Sequence, residues 1–178
     1  MGCAGIMDDK MKLDISKLSD KYTIRFLTGA DIDIIYDLAA GNPLFYRFCP
    51  PFVTKESIAD DMRALPPNKS YADKYYIGFF HETKLVAIMD LIVGFPDSAT
   101  AFIGLFMVDK SEQGKGTGTS IIAGCTAYIK ELGYACIRLG YVKGNPQSKS
   151  FWEKNGFAQT GVESEQDRYT VVIMQKEI

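Results

Sequence analysis

The amino-acid sequence predicts an α/β protein built on one mixed β-sheet, and three observations carry that prediction. Strand-like and helix-like segments alternate along the 178 residues. Two runs, 85–95 and 100–108, are almost continuously apolar, as strands covered on both faces are. A glycine-rich stretch, SEQGKGTGTS at 111–120, joins the second run to a helical pattern.

Each element follows from local chemistry. Residues 22–27, YTIRFL, alternate and are rich in β-formers, giving a first strand. A helix over 29–40 brings Ile32, Ile35, Tyr36 and Ala39 onto one face, with Asp31 near its start. Gly41 and Pro43 break it, and 41–52 runs aromatic and proline-rich as a loop. Thr54 caps a second helix, with Ser57 where a full capping box has Glu, and Pro66 and Pro67 stop it. A strand at 75–80 precedes the two apolar runs. Beyond the glycines, a helix over 120–132 carries Ile121, Ile122, Cys125, Ile129 and Leu132 inward, and Gly133 closes it. A strand at 134–142 leads to Asn145 and Pro146, a cap followed by a proline at the first helical position. That short helix ends at Gly156, and 157–161 and 169–178 are strands. No repeat, linker or low-complexity segment intervenes, so residues 21–178 form one domain behind a loosely held leader, 1–20.

Composition removes several function classes. A net charge of −2 provides no basic footprint for nucleic acid. No apolar run reaches the ~18 residues of a membrane span. The charged segment Met7–Lys12 leaves no secretory core, and MGCAGI has Ile6 where a myristoylation signal needs Ser or Thr. A cytoplasmic location is therefore expected. Cys3, Cys49, Cys125 and Cys136 lack metal-type spacing, and the only histidine, His81, falls in a turn between strands. Reduced thiols and no metal are the expectation.

The glycines 114, 116 and 118 present bare backbone amides at a strand-to-helix turn, an arrangement that binds anions. Two phosphate-binding patterns fail. The P-loop would need glycine at Asp109 and Ser or Thr at Gly116; the dinucleotide fingerprint would need glycine at Thr119 and an acidic residue near CIRLGY. A third pattern, Q/R-x-x-G-x-G/A, is filled by Gln113, Gly116 and Gly118.

A second stretch, NPQSKSFWEKNGF, sets Asn145, Ser148, Phe151, Trp152, Lys154, Gly156 and Phe157 in a distinctive spacing. With FMVDKSEQGKGTGTSII and IRLGYVKGN, it resembles the GNAT superfamily of acyl-CoA N-acyltransferases, most closely over residues 100–157. The resemblance implies a central mixed sheet whose fourth and fifth strands splay apart, flanked by about four helices. It implies acetyl-CoA as co-substrate: Phe106, Met107 and Val108 on the pantetheine and thioester, and Gln113, Gly114, Lys115, Gly116, Thr117, Gly118 and Thr119 around the pyrophosphate. Asn145 would contact the cofactor arm, cap its helix, or do both.

The sequence departs from the family where a general-acid tyrosine is frequent, because Trp152 stands there. Trp152 reads as packing beside Phe151. Tyr141, at the end of the fifth strand, is a substitute candidate acid. Asp90, the one acidic residue of the central strands, is a candidate base or ammonium ligand, or else a structural hydrogen-bond acceptor. The segment 41–52 falls where the family binds its acceptor, so Phe45 and Tyr46 could line an apolar slot and Arg47 could pair a carboxylate. The reading is an acetyl-CoA-dependent N-acetyltransferase acting on a small-molecule primary amine, with no nucleic-acid or membrane partner and a homodimer left open. The alternative is a non-catalytic acyl-CoA-binding module.

Overall fold

The computed structural model describes residues 12–178. Along the chain come β1 (Thr23–Phe26), α1 (Ile32–Ala40), α2 (Pro43–Phe48), α3 (Lys55–Arg63), β2 (Lys74–His81), β3 (Lys84–Val93) and β4 (Thr100–Val108). Then follow α4 (Thr117–Glu131), β5 (Cys136–Val142), α5 (Pro146–Lys154), β6 (Ala158–Glu165) and β7 (Thr170–Glu177). The seven strands form one sheet in the order β1-β2-β3-β4-β5-β7-β6. All neighbours are antiparallel except β4 and β5.

Both faces of the central strands are covered, as their unbroken apolar runs require. One face packs Tyr75, Ile77, Phe79, Met89 and Leu91 against Ile121, Ile122, Cys125 and Ile129 of α4. The other packs Tyr76, Phe80, Ile88 and Met107 against Ile35, Leu38 and Ala39 of α1 and Ile58 of α3. β6, at the sheet edge, is exposed along its whole length.

Three local expectations change. Residues 43–48 form a helix rather than a loop, giving five helices rather than about four. Pro43 sits at the first turn, where its missing N–H costs nothing, and Cys49 N–H donates to Phe45 C=O at 3.0 Å. The Thr54 box is complete, because the Ser57 hydroxyl reaches the Thr54 amide at 3.0 Å in place of a carboxylate. Residues 12–20 are packed rather than loosely held: Leu13 and Leu18 are buried in the α4-side core, and Asp14 N–H donates to Tyr128 Oη at 3.0 Å. Gly124 of α4 makes room for this segment, since a Cβ there would stand 2.6 Å from the Leu18 carbonyl oxygen. The leader's first eleven residues, with Cys3 and the myristoylation-like start, lie outside the described residues.

The sheet opens at its centre. β4 and β5 pair only from Thr100↔Cys136 to Ile103↔Leu139, after which β4 runs on to Val108 and β5 to Val142. Glycines, Gly104 and Gly140, occupy the first unpaired position on each side. Gly104 is also an extra residue, because Asp90↔Leu105 and Leu91↔Ile103 leave it without a partner on β3. The bulge bends β4 away from β5 where neither strand has a side chain to fill the gap.

Candidate active site

A cleft of about 310 Å³ lies in this gap. Its walls come from the end of β4, the turn into α4, the start of α5, and Asn42 and Phe45 of the α1–α2 segment. Ten of the eleven cofactor residues expected from sequence line it: Phe106, Met107, Val108, Gln113, Gly114, Gly116, Thr117, Gly118, Thr119 and Asn145. Lys115 does not; it is exposed on the outside of the turn.

Strand parity decides which backbone groups face the cleft. Asp109 N–H donates to Val86 C=O at 2.8 Å, and the register Ile88↔Met107 makes Met107 the next residue bonded to β3. The polar groups of Phe106 and Val108 therefore point away from β3, into the gap. The Val108 carbonyl is already held, accepting from Asn42 Nδ2 at 3.2 Å and Gln113 Nε2 at 3.0 Å. Gln113 Nε2 also donates to Asn42 Oδ1. The Val108 amide and both polar groups of Phe106 are left to serve a ligand. The expected contact at Met107 is thereby limited to its side of the wall, because its peptide groups are turned to β3.

The turn above this edge is built for an anion. Gly114 and Gly116 have φ of +73° and +80°, which side-chain-bearing residues adopt only at a cost. A Cβ on either would meet nothing within 4 Å, so the amides stand open. Gly116 is the N-cap of α4 and has no side-chain cap, which leaves the first amides of the helix and its positive dipole end facing the cleft. Gly118 serves a different purpose: a Cβ there would lie 3.0 Å from the Phe151 ring and 3.3 Å from Val108 Cγ2. Its absence lets α4, α5 and β4 converge. The one carboxylate in the wall, Glu112, is paired with Lys84 at 3.3 Å, which reduces its repulsion of an anion.

Aromatic packing fixes the α5 wall. Trp152 is buried, with ring centroids 4.9 Å from Phe151, 5.2 Å from Phe157 and 5.9 Å from Phe106. The two edge-on pairs, with Phe151 and Phe157, contribute about 0.5–1.5 kcal/mol each beyond area burial. Asn145 Oδ1 accepts from Ser148 N–H at 3.2 Å, so the residue caps α5 while lining the cleft.

Tyr141 is placed elsewhere. It is buried in the α4-side core, its hydroxyl accepts from Gln159 Nε2 at 3.2 Å, and it lines a second cavity between β5, β6 and the start of α5. It stands outside the cleft because β5 diverges from β4 before reaching it, and the expectation of a proton donor there is corrected on that ground. Among the described residues, no tyrosine lines the cleft.

Asp90 lies on the other side of the gap, on the α1–α3 face. Its Oδ2 accepts from Lys74 Nζ at 2.7 Å, with side-chain exposures of 15% and 3%. Tyr76 stands across the strand pair, and Lys74 Nζ lies 5.5 Å from its ring centroid. A Cβ on Gly104 would stand 3.2 Å from Asp90 Oδ2, so the carboxylate lies directly against the bare, exposed glycine. Oδ1 is sealed and has no hydrogen-bond partner. Burial raises the Asp90 carboxyl above the ordinary range, and Lys74 opposes the rise.

The groups around it were only partly legible in sequence. Burial raises the carboxyl of Asp61 on α3, the negative charge of Asp90 adds to the rise, and Lys74 opposes it. Burial and the Asp61 charge raise Tyr46 to about 12. Tyr46 packs between Phe45 and Phe52, at ring-centroid distances of 5.0 and 5.1 Å. Cys49 is hydrogen-bonded through its side chain to Tyr169, the residue before β7. Phe45 thus reaches the cleft and Tyr46 the acidic side, whereas Arg47 is exposed, lines neither and makes no ion pair among the described residues. Asn42, Asp61 and Lys74 carry no motif; an Asn before proline signals a turn, and its hold on Val108 spans 66 residues.

Among the described residues, no helix is long and apolar enough to cross a membrane, and no group of His, Cys, Asp and Glu is arranged to hold a metal ion. No curated protein matches the chain. Among solved structures, an acetyltransferase from Thermus thermophilus superimposes with a TM-score of 0.71 at 17% identity, over 89% of this chain and 97% of that one. The PaiA N-acetyltransferase of Thermoplasma acidophilum, solved with coenzyme A, gives 0.64 at 19% identity over 88% and 99%. The ribosomal-protein-S18-alanine N-acetyltransferase of Escherichia coli gives 0.60 at 16% identity over 88% and 94%. These likenesses show a shared fold. The family model for the acetyltransferase (GNAT) family matches residues 42–157, from the Asn42 clasp to the last aromatic of the α5 cluster, and the chain belongs to that family.

Proposed function

We propose that the protein transfers an acetyl group from acetyl-CoA to the primary amine of a small molecule. The observation that supports this most is the continuity of two features. The free polar groups of Phe106 and the free Val108 N–H lie in one cleft with the open amides of the turn into α4, as a long ligand with an acyl end and a phosphate end requires. When bound, acetyl-CoA supplies an activated thioester carbonyl. The α4 amides, with Lys154 in the wall and Lys115 nearby in the turn, would bind the phosphates. Phe106 would pair with the pantetheine arm as an added strand does. The Val108 N–H would be the oxyanion donor, worth about 3–4 kcal/mol. Holding amine and thioester together contributes roughly 7–11 kcal/mol. Asp90, whose carboxyl is raised and lies against Gly104 where β4 parts from β5, would take the proton that an ammonium must lose before it attacks.

The absence of a tyrosine among the described residues that line the cleft supports a second reading, a non-catalytic acyl-CoA-binding module. Release of free thiol from acetyl-CoA separates the two, measured across monoamines, polyamines, amino acids, aminoglycosides and peptides. Amine-dependent release supports transfer. Tight CoA binding with no release across the panel establishes the binding module, and no CoA binding overturns both.

A further inference from the structure

The free edge of β4 offers two different sets of groups to a ligand, and two side chains behind it make the difference. Phe106 presents both an N–H and a C=O to the gap. Val108 presents its N–H alone, because its carbonyl accepts from Asn42 Nδ2 at 3.2 Å and Gln113 Nε2 at 3.0 Å, one donor for each lone pair. The donors of both amides are used up. Asn42 Nδ2 also donates to Leu38 C=O at 3.0 Å, and Gln113 Nε2 also donates to Asn42 Oδ1. Carbonyls only accept, so these partners fix which end of each amide carries the nitrogen. Asn42 is buried and fastened by its backbone, its N–H donating to Ala39 C=O at 3.0 Å and its C=O accepting from Phe45 N–H at 3.1 Å. Beyond Val108 the chain is fastened again, Asp109 N–H donating to Val86 C=O at 2.8 Å. The end of β4 is thus clasped from the α1–α2 segment and from the turn into α4.

An amide in an extended arm carries an N–H and a C=O, and it pairs with a strand residue that offers both. A thioester carries a carbonyl and no N–H. Beside it, a free strand carbonyl would be buried without a donor, at about 1–3 kcal/mol. That carbonyl would also turn its negative end toward the oxygen on which charge develops. Resting on the transferase reading, we infer that Asn42 and Gln113 are positioning residues for the acyl end. By saturating the Val108 carbonyl they leave the last residue of β4 as a donor only, matched to a thioester. The Gln113 side chain serves the chemistry through Val108, while the pyrophosphate is left to the backbone of the turn.

The test uses the full chain and acetyl-CoA labelled at its carbonyl carbon. Infrared difference spectra read the polarisation of the bound thioester carbonyl. The fluorescence of Trp152, the one tryptophan and part of the cleft wall, reads CoA affinity. In the wild type the bound carbonyl band should lie below that of free acetyl-CoA. Gln113→Met keeps the length of the side chain and removes its donors. It should move the band back toward the free position and lower kcat at least about tenfold, with CoA affinity within about threefold. Asn42→Ala should act in the same direction. Gln113→Arg, which returns donors to the position, should recover most of the shift and the rate. A wild-type band at the free position overturns the inference, and so does a band and kcat unmoved in Gln113→Met. CoA affinity falling as far as kcat in both variants also overturns it, and makes the pair part of the cofactor's own binding. Absence of turnover with every amine overturns the transferase reading instead, while the band, which needs no amine, still decides the inference.

Discussion

At the scale of single residues, the Lys74–Asp90 pair is the feature with the largest consequences. Two buried charges are tolerable only together, so deleting one leaves the other desolvated and unpaired. Asp90→Asn should destabilise the protein by about 3–5 kcal/mol in urea denaturation, and Lys74→Met/Asp90→Leu should recover most of that loss. A double variant as unstable as the single one would mean that the pair is not the cause. Asp61 acts with the opposite sign. Its carboxyl is raised in the fold, so the folded chain holds that proton more tightly than the unfolded chain. The penalty for the charged form is full at neutral pH and disappears as pH falls through the raised value toward the ordinary carboxylate range. Asp61→Asn should therefore be more stable than the wild type near pH 7, by a margin that shrinks toward pH 4; a margin growing in acid would contradict the assignment. Tyr141→Phe should leave turnover within about twofold, because its hydroxyl lies outside the cleft. A loss of tenfold or more would return Tyr141 to the chemistry.

At the scale of elements, the turn into α4 and the short helix α2 divide the work. The turn was legible in sequence because its function is written in residue type: only glycine takes φ near +80° without strain while leaving its amide bare. Gly116→Val should weaken CoA binding at least a hundredfold, and strain at the left-handed position should cost about 1–2 kcal/mol of stability. Gly133→Ala, at a position with φ +86° beyond the end of α4, should show a similar stability loss with CoA affinity intact. If both variants lost affinity alike, the effect at Gly116 would be one of folding. α2 was illegible because Pro43 and the preceding glycine read as helix breakers, and nothing local says that proline here begins a helix. Its neighbour Asn42 is known to matter only through a contact 66 residues away. Asn42→Ala should remove one of the two donors to the Val108 carbonyl and cost about 1–3 kcal/mol, seen as lower kcat with CoA affinity little changed. An unchanged kcat would separate the clasp from catalysis.

At the scale of the whole molecule, the sheet is a device for making one gap. Apolar runs predicted both faces of β3 and β4 to be buried, and strand order along the chain was readable from periodicity. Where β4 and β5 part is not a periodic signal. It depends on a bulge at Gly104 and a glycine at 140, two residues that look like ordinary strand interruptions until register pairs them. The same limit applies on the α1–α3 face, where β2 and β3 bring Lys74 and Asp90 together from positions 16 residues apart. Likewise, Leu18 in the α4-side core could not be told from a loosely held leader, since a four-residue 3₁₀ turn has no period to detect.

The central claim, that this gap holds an acyl-CoA along the free edge of β4, is tested most directly by backbone amide resonances on titration with acetyl-CoA. The amides of Phe106, Val108 and Gly114–Thr119 should shift and gain exchange protection. That of Met107, already bonded to β3, should gain no protection. Protection gained at Met107 with Val108 unaffected, or a response confined to surfaces away from the gap, would contradict the account.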